Sequence, residues 1–291
     1  MRDQAENLRI KMLESQGALG RSIAIVSGKG GVGKTNFSTN FAINLSKLGK
    51  KVVVLDMDIG MGNVNILMGK TSPYDLKHYL FGEAPLEEVI YDGSHGVKYI
   101  SGGSGMSSVM EWSKDRISAL FNAFEQLQKS FDYILFDMGA GATNWSLDLL
   151  SAIDEIIVIT TAEPTAITDA YSMMKYIHIK DNDKTFYLLC NRSYSREEGQ
   201  DTLNRLRSTM KQFLKKDVLL LGSLPEDQMV RKAVREQVPF SIAYPDSNIS
   251  KTLKAMVQQF VERNVVEIHS SNDKQGTFLS KLRSIFLKGR D

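Results

Sequence analysis

The chain has 291 residues, of which 42% are hydrophobic and 24% are charged, which is typical of one large globular domain with tails. Its net charge of +2 does not demand a nucleic acid partner, and its single cysteine, Cys190, excludes an intrachain disulfide and a metal cluster built on paired cysteines. Because no apolar run approaches the ~20 residues of a membrane span and residues 1–21 are interrupted by charges, we expect a cytoplasmic protein.

Short apolar runs alternate with segments of helical periodicity from residue 22 onward. Continuous apolar runs are typical of parallel strands covered on both faces. The alternation predicts an α/β fold with a doubly wound, mostly parallel sheet, helices on both faces and ligands at the carboxyl ends of the strands. The predicted strands are 22–27, 51–56, 97–100, 133–137, 155–160, 185–190 and 218–221, and the predicted helices are 36–48, 115–129, 166–179, 200–214, 228–237 and 248–262.

A glycine-rich loop lies between the first predicted strand and the first predicted helix. Residues 28–35 read GKGGVGKT and fit the phosphate-binding pattern G-x-x-x-x-G-K-[ST]. Its glycines let backbone N–H groups point at a polyphosphate, Lys34 faces the β and γ phosphates, and Thr35 offers a hydroxyl to Mg²⁺. A turn without a ligand is the alternative. The predicted nucleotide-binding residues here are Gly28, Lys29, Gly30, Gly31, Val32, Gly33, Lys34, Thr35 and Asn36.

This loop resembles that of the deviant Walker A ATPases of the MinD/ParA family, K-G-G-x-x-G-K-[ST], and residues 29–35 match every fixed position. The resemblance implies ATP or ADP with Mg²⁺ as ligands and a homodimer closed by ATP, in which Lys29 reaches the nucleotide of the partner subunit. A cation delivered in this way acts like an arginine finger, so Lys29 and Lys34 are the predicted catalytic lysines. From the residues alone, Lys29 could also be simply solvated.

Acidic residues follow two of the predicted strands, where they lie beside the phosphate loop. The family resemblance implies that Asp137 and Thr35 hold the Mg²⁺ shell and that the N–H of Gly139 senses the γ phosphate. It also implies that Asp58 orients the attacking water and that Asp56 supports the metal shell. Aspartates at strand ends often cap the next helix, and for Asp56 this alternative stays open.

Polar residues after the predicted strands 185–190 and 218–221 predict the base site. In MinD-like proteins an asparagine after the first of these strands reads the adenine edge, and a Pro-Glu-Asp turn frames the ring. The amide of an asparagine offers both a donor and an acceptor for that edge. Roles as turn residues or helix caps are the alternative. The predicted residues are Asn191, Arg192, Pro225, Glu226 and Asp227.

The chain ends in a basic amphipathic segment, 277–291, after a polar linker, 265–276. At ~100° per residue its apolar side chains share one face, and it has no acid before Asp291. This pattern predicts a helix that lies reversibly on the anionic inner face of the cell membrane, and it resembles the membrane-targeting tail of MinD. The alternative is a terminal helix packed on the core. The predicted membrane contacts are Phe278, Leu279, Leu282, Ile285 and Phe286.

The first 20 residues resemble the extension of the FlhG (YlxH/FleN) family, the MinD-like regulators of flagellar number and placement. The resemblance implies that this segment stimulates the signal-recognition-particle-like GTPase FlhF and that the protein also engages flagellar switch (C-ring) proteins. A disordered end is the alternative. The predicted partner residues are Asp3, Gln4, Leu8 and Arg9, with Gln4 as the active group by analogy with water-positioning glutamines.

Three function classes compete for the ATPase domain, 21–264. A membrane-associated switch ATPase with weak intrinsic hydrolysis is favoured by Lys29 and the basic tail. A ParA-like DNA partitioning ATPase would need a basic nucleic-acid surface, which makes nucleic acid an unexpected partner. A metabolic P-loop ligase or kinase would need a dedicated substrate pocket. Glu163 precedes Pro164 here, whereas some MinD sequences have the acid and the proline in a different order. The sequence therefore gives Glu163 no catalytic role.

Overall fold

The computed structural model describes residues 19–58, 62–102, 113–268 and 278–288, without the side chains of 114, 264–268 and 286–288. The predicted partner residues Asp3, Gln4, Leu8 and Arg9 therefore lie outside the described residues, as does the side chain of Phe286.

An eight-stranded sheet forms the centre of the described part of the chain, in the order β3-β4-β2-β5-β1-β6-β7-β8. Only β3 runs antiparallel to its neighbour. The strands are β1 (Arg21–Val26), β2 (Val52–Met57), β3 (Tyr91–Asp92), β4 (Lys98–Ile100), β5 (Tyr133–Met138), β6 (Glu155–Thr160), β7 (Thr185–Ser193) and β8 (Leu219–Pro225). The predicted doubly wound, mostly parallel fold is confirmed, and β1 lies between β5 and β6, so the loop after β1 opens near the middle of the sheet.

Helices cover both faces of this sheet. They are α1 (Lys34–Lys47), α2 (Val64–Leu67), α3 (Leu76–Leu80), α4 (Leu86–Val89), α5 (Lys114–Ser130), α6 (Asn144–Ala152), α7 (Pro164–Lys180), α8 (Arg196–Leu214), α9 (Gln228–Glu236), α10 (Phe240–Ala243), α11 (Asn248–Ile268) and α12 (Phe278–Lys288). None of the described helices has the length and apolarity that crossing a bilayer requires.

Strand alternation divides the core into one apolar layer on each face. On β2, Val52 and Val54 join the layer under α1 and α11, whereas Val53 and Leu55 join the layer under α5 to α8. All four of these side chains are fully buried, which explains why positions 52–55 are apolar in succession rather than at every second position.

Helix α6 is absent from the predicted elements, although it begins only a few residues after Gly139. Thr143 caps it, because the Thr143 hydroxyl accepts the N–H of Ser146 while the Ser146 hydroxyl accepts the N–H of Thr143. This reciprocal pair is a capping box with serine in place of the usual Glu or Gln. The capping signal and the apolar residues Leu149 and Leu150 were thus present in the sequence.

Helix α12 packs into a groove between α5 and α6, which we call the tail groove. Phe278, Leu279 and Leu282 are at most 2% exposed, and the Phe278 ring lies 5.4 Å from Phe124 and 5.8 Å from Phe136 between centroids. Ile285 is partly buried against the same layer. The described residues of the predicted lipid-facing side are therefore covered by protein in this conformation, as the alternative of a packed terminal helix describes.

The basic residues of α12 also have partners in the domain. Lys281 lies 3.4 Å from Asp181 at the end of α7, and Arg283 lies 3.5 Å from Glu125 on α5. Asp181 also binds the buried Lys184 at 3.1 Å. The core thus covers the described apolar residues of the docked helix and pairs with two of its cations.

Candidate functional site

The phosphate loop joins β1 to α1 and depends on glycine at two positions. Gly33 has φ of 96°, in the left-handed region, and a Cβ there would lie 2.5 Å from the side-chain nitrogen of Asn191. At Gly28 a Cβ would lie 2.1 Å from the carbonyl oxygen of Asp169 on α7. The loop therefore packs closely against β7 and α7. No side chain caps the first N–H groups of α1.

Lys34 is buried at the floor of this loop. Its ammonium lies 3.1 Å from the Ser27 hydroxyl. Burial lowers the pKa of Lys34, and the nearby carboxylates of Asp137 and Asp58 oppose that effect. A desolvated cation beside free helix N–H groups is a strong site for a phosphate anion.

Asp137 is the second-last residue of β5, lies beside Lys34 and is 1% exposed. Its Oδ1 accepts a 2.9 Å hydrogen bond from Ser38, whereas its Oδ2 is buried and has no hydrogen-bond partner among the described residues. Burial and the neighbouring Asp56 raise the pKa of Asp137 to about 7. An orphaned carboxylate oxygen next to Thr35 fits Mg²⁺, a hard cation that prefers such oxygen ligands.

The raised pKa of Asp137 predicts that binding of the Mg²⁺–nucleotide complex depends on pH. Mg²⁺ binds the ionised carboxylate, so below about pH 7 binding must displace a proton. We expect affinity to fall by up to about tenfold per unit between pH 7 and pH 5 and to level off above pH 7.5. Titration of a fluorescent ADP analogue with Mg²⁺ measures this, and Asp137→Asn is the control that should lose the part of the slope that this carboxylate contributes, while the part due to the nucleotide phosphate remains. An equally steep slope in the variant would contradict the assignment.

Asp56 uses both carboxylate oxygens to hold the segment that follows β2. Oδ1 accepts the N–H of Asp58 and Oδ2 accepts the N–H of Val64, each at 3.1 Å. These two bonds agree with the alternative of a structural role, and each oxygen keeps lone pairs for the predicted support of the metal shell. Burial raises the pKa of Asp56.

Asp58 follows β2 directly and lies across from Gly139. Gly139 follows β5, the neighbouring strand that carries Asp137. A Cβ at position 139 would lie 3.2 Å from Oδ1 of Asp58, so any larger residue would crowd this carboxylate. Asp58 is half-buried and close enough to oppose the lowered pKa of Lys34. The predicted positions Asp58 and Gly139 thus converge with Lys34. Residues 59–61, which follow Asp58, lie outside the described part of the chain.

The ammonium of Lys29 does not enter the phosphate loop. It lies 2.7 Å from Oε2 of Glu163 and 3.1 Å from the hydroxyl of Thr165, both at the start of α7. The side chain of Lys29 is 39% exposed. The two lysines of the motif are therefore separated in this conformation, Lys34 at the floor of the loop and Lys29 at its outer entrance.

A cavity of about 480 Å³ continues from the phosphate loop between β7, β8 and α9. Its walls include all five residues predicted for the base site. The Asn191 amide nitrogen, however, donates 2.8 Å to the carbonyl of Val32 and so supports the loop. The second N–H of this amide and its oxygen are left for a base.

Charged residues at the rim of this cavity form a connected group. Arg192, which has φ of 58°, and Arg231 bind the two oxygens of Glu226 at 2.8 and 2.9 Å. Asp227 caps α9 by accepting the N–H of Met229 at 2.9 Å, as the capping alternative describes.

Part of the cavity wall was missed by sequence reasoning. The additional lining residues come from α1, α9, α10, α11 and the end of β8. They are Phe37, Leu224, Val230, Arg231, Val234, Arg235, Phe240 and Ile249. The strongly amphipathic pattern of α9, with basic residues beside valines, is the signal that could have found several of them.

Comparisons with known proteins agree with this geometry. The ParA family model, described as the NUBPL iron-transfer P-loop NTPase, matches residues 18–261. The antiactivator FleN of Pseudomonas aeruginosa is 34% identical over 237 residues, which are 81% of this chain and 85% of FleN. The flagellum site-determining protein YlxH of Helicobacter pylori is 35% identical over 242 residues, which are 83% of this chain and 82% of YlxH.

Solved structures give the same result. The cell division ATPase MinD of Pyrococcus furiosus has a TM-score of 0.69 at 25% identity, covering 84% of this chain and 99% of that one. MinD of Pyrococcus horikoshii, complexed with Mg-ADP, has a TM-score of 0.67 at 26% identity, covering 83% of this chain and 96% of that one.

Iron transfer, which is named in the family description, uses thiolates. The one cysteine of this chain, Cys190, is buried, and burial raises the pKa of its thiol to about 11.

Proposed function

The chain belongs to the ParA/MinD family of P-loop NTPases, and from that premise we propose that it is an ATP-dependent switch that regulates flagellar number or placement. One observation carries the proposal: a deviant phosphate loop with Lys29 at its entrance coexists with a basic amphipathic helix, α12, docked in the tail groove. The flagellar role is supported by the similarity to FleN and YlxH.

ATP is the proposed substrate, and it is hydrolysed slowly to ADP and phosphate. Lys34 contacts the β and γ phosphates, and the N–H of Gly139 donates to the γ phosphate. Asp58 orients the attacking water. Mg²⁺ held by Thr35 and Asp137 would neutralise charge on the triphosphate. The cavity of about 480 Å³ accommodates the base, with the oxygen of Asn191 as acceptor.

Dimerisation brings a second lysine, Lys29 of the other subunit, to each phosphate site. Lys29 lies at the outer entrance of the loop and points away from its own phosphate site, so we propose that it serves the nucleotide of a partner subunit. ATP then favours a dimer and ADP a monomer, because γ-phosphate contacts stabilise only the closed form. Slow hydrolysis in the monomer follows from the absence of this positive charge.

The tail groove and an anionic membrane compete for the same face of α12. Undocking exposes Phe278, Leu279 and Leu282, each of which contributes roughly 1.5–3 kcal/mol when buried. A lipid surface restores this burial, and it attracts Lys281 and Arg283 by about 1 kcal/mol each. Two tails on one dimer bind together with high effective concentration, so dimerisation switches membrane attachment on.

Helix α6 supports the proposed link between nucleotide and tail. It follows the Gly139 loop directly in the chain, and its other side packs against α12. We propose that γ-phosphate contacts at Gly139 shift α6 and thereby loosen the tail groove. Reversible attachment to the inner face of the cell membrane follows from this coupling.

Vesicle sedimentation tests the proposed membrane switch. With a slowly hydrolysed ATP analogue, the full chain should sediment with anionic vesicles, whereas a chain ending at Gly276 should remain in the supernatant. With ADP the full chain should sediment several-fold less, because the tail stays docked. Ser284→Ala changes only an exposed polar position of α12 and should bind like the full chain.

Two further controls separate lipid binding from aggregation. Samples without vesicles reveal any chain that precipitates because its groove is uncovered. Neutral vesicles should bind the full chain less, since the attraction of its basic residues is lost. Equal sedimentation of the full and shortened chains would remove the membrane proposal.

The proposed partners are FlhF and the flagellar C-ring proteins. Residues 1–20 would stimulate the FlhF GTPase, with Gln4 as the active group and Asp3, Leu8 and Arg9 as further contacts. Support for these partners comes from the resemblance of this segment to the FlhG family and from the similarity of the chain to FleN and YlxH.

A further inference from the structure

Glu163 occupies the N-cap position of α7, yet its side chain does not cap the helix. An acceptor at this position normally binds an N–H of the first turn. Here the Glu163 carboxylate instead binds the Lys29 ammonium at 2.7 Å, and Thr165 adds a second acceptor at 3.1 Å. Both acceptors for Lys29 thus come from the start of one helix.

Close packing of the loop on α7 makes this contact a consequence of the fold. Because Gly28 has no Cβ, the backbone of the loop approaches the carbonyl of Asp169 closely, as the 2.1 Å distance for an added Cβ indicates. The next residue is Lys29, so its side chain emerges beside Glu163. Interaction with the Lys29 ammonium lowers the pKa of Glu163, which keeps the carboxylate ionised at neutral pH.

Arg192 offers a second cation to Glu163. It also lowers the pKa of Glu163, although its own guanidinium is bonded to Glu226. If Lys29 leaves, the Glu163 carboxylate therefore still has a positive neighbour. The pair can open without leaving an isolated charge at the mouth of the site.

We propose that Glu163 is a positioning residue that holds Lys29 on its own protomer until the triphosphate of a partner subunit competes for the ammonium. The inference rests on the proposed ATP-dependent dimer. Two Lys29–Glu163 pairs must open for each dimer that forms, so Glu163 sets the protein concentration at which ATP closes the dimer.

Removing the charge of Glu163 tests this role. Both side chains are partly exposed, at 39% and 58%, so one pair changes an equilibrium by a factor of about five at most. We expect Glu163→Gln to dimerise with a slowly hydrolysed ATP analogue at about 3- to 20-fold lower protein concentration than the wild type. Sedimentation velocity over a range of protein concentrations measures the shift.

Salt dependence and nucleotide binding distinguish positioning from a structural effect. The difference between Glu163→Gln and the wild type should shrink as salt rises from 50 to 500 mM, because exposed ion pairs are screened. Monomer affinity for the nucleotide should stay the same in both. Glu163→Asp, which keeps the charge, should lie closer to the wild type.

A matched control removes one carboxylate charge elsewhere. Glu197 lies exposed in the first turn of α8, and Glu197→Gln should dimerise like the wild type. If Glu163→Gln dimerises no more tightly than the wild type, or Glu197→Gln shifts equally, the inference is overturned. If the wild type itself never dimerises with ATP, the proposed function fails instead.

Discussion

Lys29→Ala is expected to bind nucleotide normally but to lose the turnover that dimerisation stimulates, by about 100-fold or more. Binding should persist because the Lys29 ammonium lies against Glu163, whereas Lys34 is the lysine at the floor of the phosphate loop. Turnover should fall because one preorganised charge at a transferring phosphoryl group contributes about 10²–10³ in rate.

The rate per protomer as a function of protein concentration measures this effect. In the wild type the rate should rise with concentration as dimers form, and in Lys29→Ala it should stay flat. Lys34→Ala is the contrasting variant, since it should lose nucleotide binding itself. A rise in Lys29→Ala equal to that of the wild type would show that the outer lysine takes no part in hydrolysis.

Asp58→Ala is expected to trap the ATP-bound dimer. Loss of the group that orients the attacking water should slow hydrolysis by about 10²- to 10⁴-fold. The γ-phosphate contacts of Lys34 and Gly139 remain, so closure should not be affected. Light scattering with ordinary ATP should then find a dimer that persists for much longer than in the wild type.

Asp56→Ala separates this effect from loss of structure. Asp56 accepts two backbone N–H groups, so its removal leaves buried donors unpaired and should lower the melting temperature. Asp58→Ala should melt close to the wild type. An Asp58→Ala protein that stays monomeric with ATP would contradict the role assigned to Asp58.

Local patterns predicted most of the fold and the phosphate site. Each buried parallel strand is an uninterrupted apolar run, and the glycine loop is contiguous in the chain, so both can be recognised without tertiary information. The strand that begins at Tyr133 and its acid, Asp137, were found in this way. Short β3 carries too few residues for any such pattern.

Contacts between distant residues could not be predicted in this way. Asn191 bonds to Val32, and Lys29 bonds to Glu163, across more than 130 positions in each case. The polar side chains of Asn191, Lys29 and Glu163 suit a ligand as well as they suit a contact within the chain. Sequence therefore predicted base recognition for Asn191 and no catalytic role for Glu163.

The terminal helix shows a different limit. An amphipathic pattern states that one face must leave water, but not whether protein or lipid covers that face. In the described conformation Phe278 packs on Phe124 and Phe136, and one of the two helices that form the tail groove, α6, was itself not predicted. In the proposed account the tail packs on protein in one state of the switch and lies on the membrane in the other.

The mass of the protein in solution with ADP and with a slowly hydrolysed ATP analogue tests the central claim most directly. Multi-angle light scattering should find a monomer with ADP and twice that mass with the analogue, and Lys29→Ala provides a variant without the bridging cation. One unchanged monomer mass under both nucleotides, at every protein concentration tested, would contradict a switch based on ATP-closed dimers.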